Sequence, residues 1–174
     1  MHTFTAGEVV TPANLNNNTV SAFGFTSAPP LCKLRQTVLQ TSLGSWQSVL
    51  WDTEDLDSDN GHSTVTNTSR YTAQTAGWYT MLSTIPMQPS SSTTVTLQTA
   101  FKLNGSTTTN MLGKAAAPCT SANQYGAHIG DCRFLNVGDY IEVGVYVTVG
   151  TVTLNCLGAG SDSFPCFSIE YSHT

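Results

Sequence analysis

The chain has 174 residues and a formal net charge of −5, and only 10% of its residues are Asp, Glu, Lys or Arg. This length suits one domain with a buried core, and the charged fraction lies far below the ~25% of ordinary soluble proteins. Six basic residues, outnumbered by 11 acidic ones, cannot form the basic stripe that nucleic-acid binding requires. No apolar run reaches the ~18 residues of a membrane-spanning helix. We therefore expect no nucleic-acid partner and no membrane insertion.

Residues 1–30 are predicted to form an attachment arm with a short helix. Thr11 and Pro12 resemble an N-cap followed by proline at the first helical position, and the helix should continue to about Ala22. It is too polar to be stable alone, so a partner must hold it. The start of the chain lacks the basic and apolar regions of a secretory signal, so we do not expect secretion. The apolar residues expected to anchor the arm are Phe4, Val9, Val10 and Leu15.

Residues 31–174 are predicted to form one all-β domain, a sandwich, barrel or jelly roll of about ten antiparallel strands. In YIEVGVYV, Ile141 and every second residue after it share an apolar face, the alternation typical of a half-buried strand. Turn residues such as those of Asn60-Gly61 and Asn104-Gly105 separate the strands. The predicted strands are Lys33–Gln40, Ser48–Trp51, Ser69–Ala73, Gly77–Ile85, Thr93–Leu103, Thr107–Leu112, Ser121–Leu135, Tyr140–Thr148, Thr151–Leu154 and Pro165–Tyr171.

Five cysteines are present, without a CxxC pair or a histidine at zinc-ligand spacing. An odd number leaves at least one thiol free or paired between chains. Buried thiols in a reducing cytosol are the favoured interpretation over a disulfide framework. Cys156 and Cys166, which flank a glycine-rich turn, are the first candidate pair.

The stretch DTEDLDSDNGHS, from Asp52 to Ser63, holds five of the acidic residues. It fails the EF-hand pattern, because Asn60 replaces the glycine and Thr66 the final glutamate. A mobile, solvated loop whose charges protect a sheet edge is one interpretation. A calcium site of another design is the alternative, because Ca²⁺ takes six to eight oxygen ligands. Its ligands would be Asp55, Asp57 and Asp59.

Trp46 and Trp51 lie on either side of a predicted strand, and Trp51 adjoins the acidic stretch. Aromatic rings beside carboxylates can hold a sugar by stacking and hydrogen bonding, so these tryptophans are candidate ligand-binding residues. The competing interpretation is that both fill a core or an interface. No nucleophile–base pair, metal motif or phosphate loop accompanies them, and we expect no enzymatic activity.

Three segments resemble the C1q/TNF-like jelly-roll family. YTAQTAGWYTM matches the family pattern at Tyr71, Gly77 and Tyr79, with Met81 replacing an aromatic residue. LNVGDYIEVGVY is similar to a second family strand through Gly138-Asp139-Tyr140, and PCFSIEY resembles the closing strand. The resemblance implies a ten-stranded jelly roll that assembles as a homotrimer and serves as a recognition head. Some members bind calcium near the trimer apex.

The opening TFTAGEVVTPANLNNN resembles the leader of small virion proteins of tailed phages, particularly tail components of actinobacterial phages. This resemblance implies a virion-surface protein attached to other phage proteins by its arm, in a minor tail or receptor-binding role. The outer loops Trp51–Ser63 and Leu112–Gln124 would then contact a host cell-surface glycan. A capsid decoration protein and a free C1q-like lectin are the alternatives.

Overall fold

The computed structural model describes residues 29–89, 94–119, 125–148, 152–154 and 164–173. These residues contain twelve β-strands in two antiparallel sheets and no helix. A search of the same residues for a helix long and apolar enough to cross a membrane found none. The predicted arm, with Phe4, Val9, Val10 and Leu15, lies outside the described residues.

The larger sheet has seven strands in the order β2-β11-β6-β12-β1-β4, with β9 also paired to β6. Its long central strand, β6, pairs with β12 on one edge and with β9 on the other. The strands are β1 Leu31–Arg35, β2 Gln40–Leu43, β4 Thr53–Asp57, β6 Gly77–Pro89, β9 Tyr125–Leu135, β11 Val152–Leu154 and β12 Cys166–His173.

The smaller sheet has five strands in the order β3-β10-β7-β8, with β5 also paired to β10. Its strands are β3 Gln47–Ser48, β5 Arg70–Thr72, β7 Val95–Leu103, β8 Met111–Cys119 and β10 Tyr140–Val147. In β10, Ile141, Val143, Val145 and Val147 are buried, as the alternation predicts.

The core lies between the two sheets and is rich in aromatic rings. Trp51 stacks on Phe167 with ring centroids 6.0 Å apart, and Phe101 from the smaller sheet lies 5.8 Å from the same ring. Tyr79 meets Tyr171 edge to face at 5.4 Å. Such pairs add to the hydrophobic burial that joins the sheets.

The structure confirms the predicted all-β sandwich and corrects several elements. Residues 36–39 and 49–51, predicted as strand, lie outside the strands, and the predicted outer loop Leu112–Gln124 is wrong over residues 112–119, which belong to β8. Thr107–Leu112 is wrong, because residues 107–110 form a bend and β8 begins at Met111. Two strands, β2 and β4, were not predicted. β4 contains three acidic residues, which have low strand propensity, but the position at the end of the strand order tolerates and even favours charge.

Candidate functional site

The acidic stretch begins with a carboxylate that organises the preceding loop. Asp52 accepts main-chain hydrogen bonds from Thr37, at 2.9 Å, and from Val38, at 2.6 Å. The hydroxyls of Thr37 and Thr53 each donate to it at 2.8 Å. Burial raises the pKa of Asp52, but the donated bonds outweigh burial and hold the pKa below its ordinary value. This carboxylate is therefore a structural cap that depends on its charge.

Asp55 lies on the edge strand β4 and pairs with Arg35 on β1. The Arg35 Nε donates at 2.8 Å to both carboxylate oxygens, and Nη2 lies 2.6 Å from Oδ1. The hydrogen bond and charge of Arg35 lower the pKa of Asp55. Both groups are partly exposed, so the pair contributes little to stability.

Asp57 and Glu54 hold the turn after β4 through His62. Asp57 accepts the main-chain N–H groups of Gly61, at 3.1 Å, and of His62, at 2.9 Å. The fully buried His62 ring contacts Glu54 Oε1 through Nδ1 at 2.8 Å and the Thr68 carbonyl through Nε2 at 3.1 Å. Both ring nitrogens therefore have an oxygen partner, and the ring is fixed between β4 and the end of the following loop.

Asp59 turns toward the core, where the Tyr71 hydroxyl donates to its Oδ2 at 2.8 Å. Its Oδ1 is buried without a hydrogen-bond partner. Burial raises the pKa of Asp59, and the neighbouring Asp57 charge adds to the rise despite the opposing Tyr71 bond. The fold therefore disfavours the charge of this carboxyl group.

The three predicted calcium ligands each have a partner elsewhere in the fold, and Asp57 and Asp59 are also neighbours. Asp55 binds an arginine, Asp57 caps a turn, and Asp59 binds a tyrosine. Within the described ranges, no group of three or more His, Cys, Asp or Glu side chains is placed to hold a metal ion. Calcium binding by Asp55, Asp57 and Asp59 stays a prediction. The interpretation as a loop is wrong for Thr53–Asp57, which is a strand.

The two tryptophans that were predicted to bind a sugar differ in burial and in the residues that they contact. Trp51 has 0% exposure and packs in the core, so a role in surface stacking is wrong for this residue. Trp46 is half-buried, stacks on Tyr146 at 5.4 Å and has the Lys114 Nζ 5.4 Å from its ring centre. A binding role for Trp46 alone stays a prediction.

The motif residues Tyr71, Gly77 and Tyr79 support the core. Tyr71 and Tyr79 are fully buried, and the Tyr79 hydroxyl donates to the Thr75 carbonyl at 2.8 Å. Gly77 is required because a Cβ there would lie 2.3 Å from the ring of Tyr171. These residues serve the fold and leave no reactive group exposed.

The motif Gly138-Asp139-Tyr140 forms the turn into β10. Gly138 has a φ of 88°, which side chains disfavour. Asp139 accepts 2.8 Å bonds from the Asn104 side chain and the Asn136 main chain, and these donors lower its pKa. The turn therefore ties the β9–β10 connection to the loop after β7.

An apolar patch of Trp78, Leu82 and Phe134 lies on the outer face of the larger sheet. Their exposures are 39%, 58% and 41% respectively. Trp78 meets Phe134 at 6.0 Å edge to face and stacks with His173 at 6.1 Å. Sequence reasoning missed Leu82 and Phe134 as members of an outer patch. The sequence could have indicated Leu82, because the even-numbered residues of β6 lie on the same face of the strand as Trp78.

Three cysteines differ in accessibility. Cys32 is a fully buried thiol, Cys166 is a half-buried thiol and Cys132 is an exposed one. Burial, and then the nearby charge of Asp57, raise the pKa of Cys32. Cys156, the other member of the candidate pair, lies outside the described residues.

No family model matches the sequence, and no curated protein does. Solved structures do match its fold. The globular domain of zebrafish complement 1qA protein aligns with a TM-score of 0.63 and 12% identity, over 83% of this chain and 99% of that domain. Murine APRIL at pH 5.0 aligns with a TM-score of 0.54 and 13% identity, over 81% of this chain and 98% of APRIL. Two antiparallel sheets, the shared core and these likenesses establish a C1q/TNF-like jelly-roll fold.

Proposed function

We propose that this protein is a non-enzymatic structural component of a tailed-phage virion and that it forms homotrimers on the particle surface. The N-terminal sequence, with its similarity to phage tail-protein leaders, supports the phage assignment. In this arrangement residues 1–30 attach the protein to other virion proteins, and the jelly roll displays its outer loops. A tail or tail-tip position agrees best with the leader, and host recognition would be a function of the loops.

The observation that carries the proposed self-assembly is the Trp78–Leu82–Phe134 patch. Aromatic residues are enriched, and charges depleted, at the centres of protein interfaces. The neighbouring outward positions carry short hydroxyl side chains, such as Thr80 and Ser172, which bond each other at 2.9 Å. Glu170, the exposed cross-strand neighbour of Thr80, is the charged residue of this part of the face, so a second copy must leave its carboxylate at the solvated rim of the contact.

Native mass spectrometry of the wild type and of Leu82→Asp tests this interface. We expect a mass three times the 18.5 kDa of the chain for the wild type and a folded monomer for Leu82→Asp, because a carboxylate would be desolvated at the contact. Leu39→Asp is the matched control, since Leu39 is 53% exposed and lies away from β6. A wild-type monomer, or a trimer that survives Leu82→Asp, would exclude this interface.

Deletion of Met1–Ala22 tests the proposed attachment. The truncated protein should still form trimers but should disappear from purified virions, as measured by immunoblot. Immunogold electron microscopy of the full-length protein would then distinguish the tail from the head. Unchanged incorporation of the truncated protein would refute attachment through the arm.

A further inference from the structure

A polar cavity of about 220 Å³ lies between the loop after β4 and strand β5. Its lining includes the side chains of Asn60, Asn67, Arg70, Thr72 and Gln74. This volume is below the ~300–1,000 Å³ of sites for drug-sized ligands. The cavity is open to solvent, so the part of a ligand that it holds should be polar and of the size of about one sugar ring.

The cavity is built by a tied loop. Main-chain bonds join Trp51 to Thr68 at 2.9 Å and Thr72 to Gly61 at 2.7 Å. Asn60 and Asn67 adopt left-handed conformations, with φ of 57° and 52°. The buried His62 ring holds the two ends of the loop together through Glu54 and Thr68. Ligand sites are usually formed before the ligand arrives, and this loop meets that condition.

Several polar groups of the cavity have no bond to the rest of the described protein. The amides of Asn60 and Asn67 form no side-chain hydrogen bond with the described residues, nor does the Arg70 guanidinium. Arg70 stacks on the ring of Tyr140 at 4.5 Å, which orients it without using its donors. The carboxylate of Glu142, the cross-strand neighbour of Arg70, is already bound by Lys102 and Ser69.

We infer that this cavity binds a monosaccharide unit carrying a carboxylate, with Arg70 holding the carboxylate and Asn60, Asn67 and Thr72 binding ring hydroxyls. A guanidinium fork fits a carboxylate with two parallel hydrogen bonds. Amide side chains both donate and accept, as sugar hydroxyls do. This inference names the ligand class for the recognition role proposed above, and it requires neither the trimer nor the arm.

Titration of the isotope-labelled full-length protein with sodium glucuronate, followed by amide NMR shifts, tests the site. We expect saturable shifts in residues 60–74 for glucuronate, and affinity weaker by about tenfold or more for glucose and for acetate. Equal responses to glucuronate and glucose would show that no carboxylate is recognised. Equal responses to glucuronate and acetate would refute the saccharide, and absence of saturable shifts would refute the site.

Arg70→Gln should weaken glucuronate binding by about tenfold or more, and Arg70→Lys should restore part of the loss because it retains a charge. Lys33→Gln removes the same charge from an exposed position on β1, and this variant should bind glucuronate like the wild type. Asn67→Asp is a nearly isosteric second variant that should repel the ligand. Unchanged binding in Arg70→Gln and Asn67→Asp would refute the assignment. Native masses of the same samples report assembly independently, so its failure and that of ligand binding are distinguishable.

Discussion

Lys102 and Glu142 form a shielded ion pair on the smaller sheet, and Lys102→Met should destabilise the protein strongly. The Lys102 Nζ lies 3.2 Å from Glu142 Oε2 and donates to the Ser48 hydroxyl at 2.8 Å. Side-chain exposures are only 7% for Lys102 and 12% for Glu142. The lysine stem packs over Gly144, where a Cβ would lie 2.7 Å from Lys102 Cδ. Methionine keeps most of this stem and removes the charge.

The expected cost follows from the carboxylate that Lys102→Met leaves behind. Removal of one partner from a buried pair costs about 3–5 kcal/mol. Glu142 keeps a 2.6 Å bond from Ser69 and some exposure, so we expect a loss near the lower end, about 3 kcal/mol. At about 2–4 °C per kcal/mol for a chain of this length, the melting temperature should fall by about 6–12 °C.

Urea unfolding at one fixed protein concentration measures this free energy. The double variant Lys102→Met/Glu142→Gln should recover stability to within about 1 kcal/mol of the wild type, because no unpaired charge remains. Lys33→Met, at an exposed lysine, should change stability by less than about 0.5 kcal/mol. A loss below about 1 kcal/mol for Lys102→Met would show that solvent screens the pair as it does at surfaces.

Three further predictions concern the acidic stretch and the thiols. Asp52→Asn should lower the unfolding free energy by about 2 kcal/mol at pH 7. Because the pKa of Asp52 is lowered by folding, this deficit should shrink as pH falls through its folded pKa; a deficit independent of pH would contradict the charged cap. Asp59→Asn should stabilise by about 1 kcal/mol at pH 7, by removing a partly buried charge beside Asp57. Folding raises the pKa of Asp59, so this gain should vanish below the unfolded pKa of ~3.9; a loss of stability at pH 7 would refute it. Cys132 pairs across the strands with Thr80, on the face of the Trp78–Leu82–Phe134 patch, so it should react with a maleimide in the monomeric Leu82→Asp variant and be protected in the wild-type trimer, whereas buried Cys32 should react only after unfolding; mass spectrometry of peptides would detect the opposite order.

The sequence predicts the fold well where side-chain alternation coincides with burial. The β10 strand is confirmed at both faces because each inward position carries an aliphatic residue. β4 was missed because its residues, TEDLD, belong to an edge strand, and what stabilises an edge strand is a neighbour distant in sequence. No local sequence pattern indicates that β4 pairs with β1, because the pairing depends on tertiary structure.

The candidate site was less predictable, because burial of a tryptophan depends on the opposite sheet. The sequence alone does not show which of Trp46 and Trp51 is buried. In the structure, Phe167 covers Trp51 and leaves it no exposed surface. The polar cavity was missed for a related reason. Arg70 has no described carboxylate partner, and the carboxylate of its cross-strand neighbour Glu142 is bound by Lys102, which is far away in sequence.

Few residues of this chain are charged, and five of its 11 acidic residues lie in the stretch next to the cavity. Each of these five side chains has a described structural contact: Asp52 with Val38, Glu54 with His62, Asp55 with Arg35, Asp57 with Gly61 and Asp59 with Tyr71. Together these contacts fix the ends of β4 and the loop that follows it. A loop so constrained loses little conformational entropy when a ligand binds. In the recognition role proposed above, the acidic residues would shape the cavity and Arg70 would supply the charge that meets the ligand.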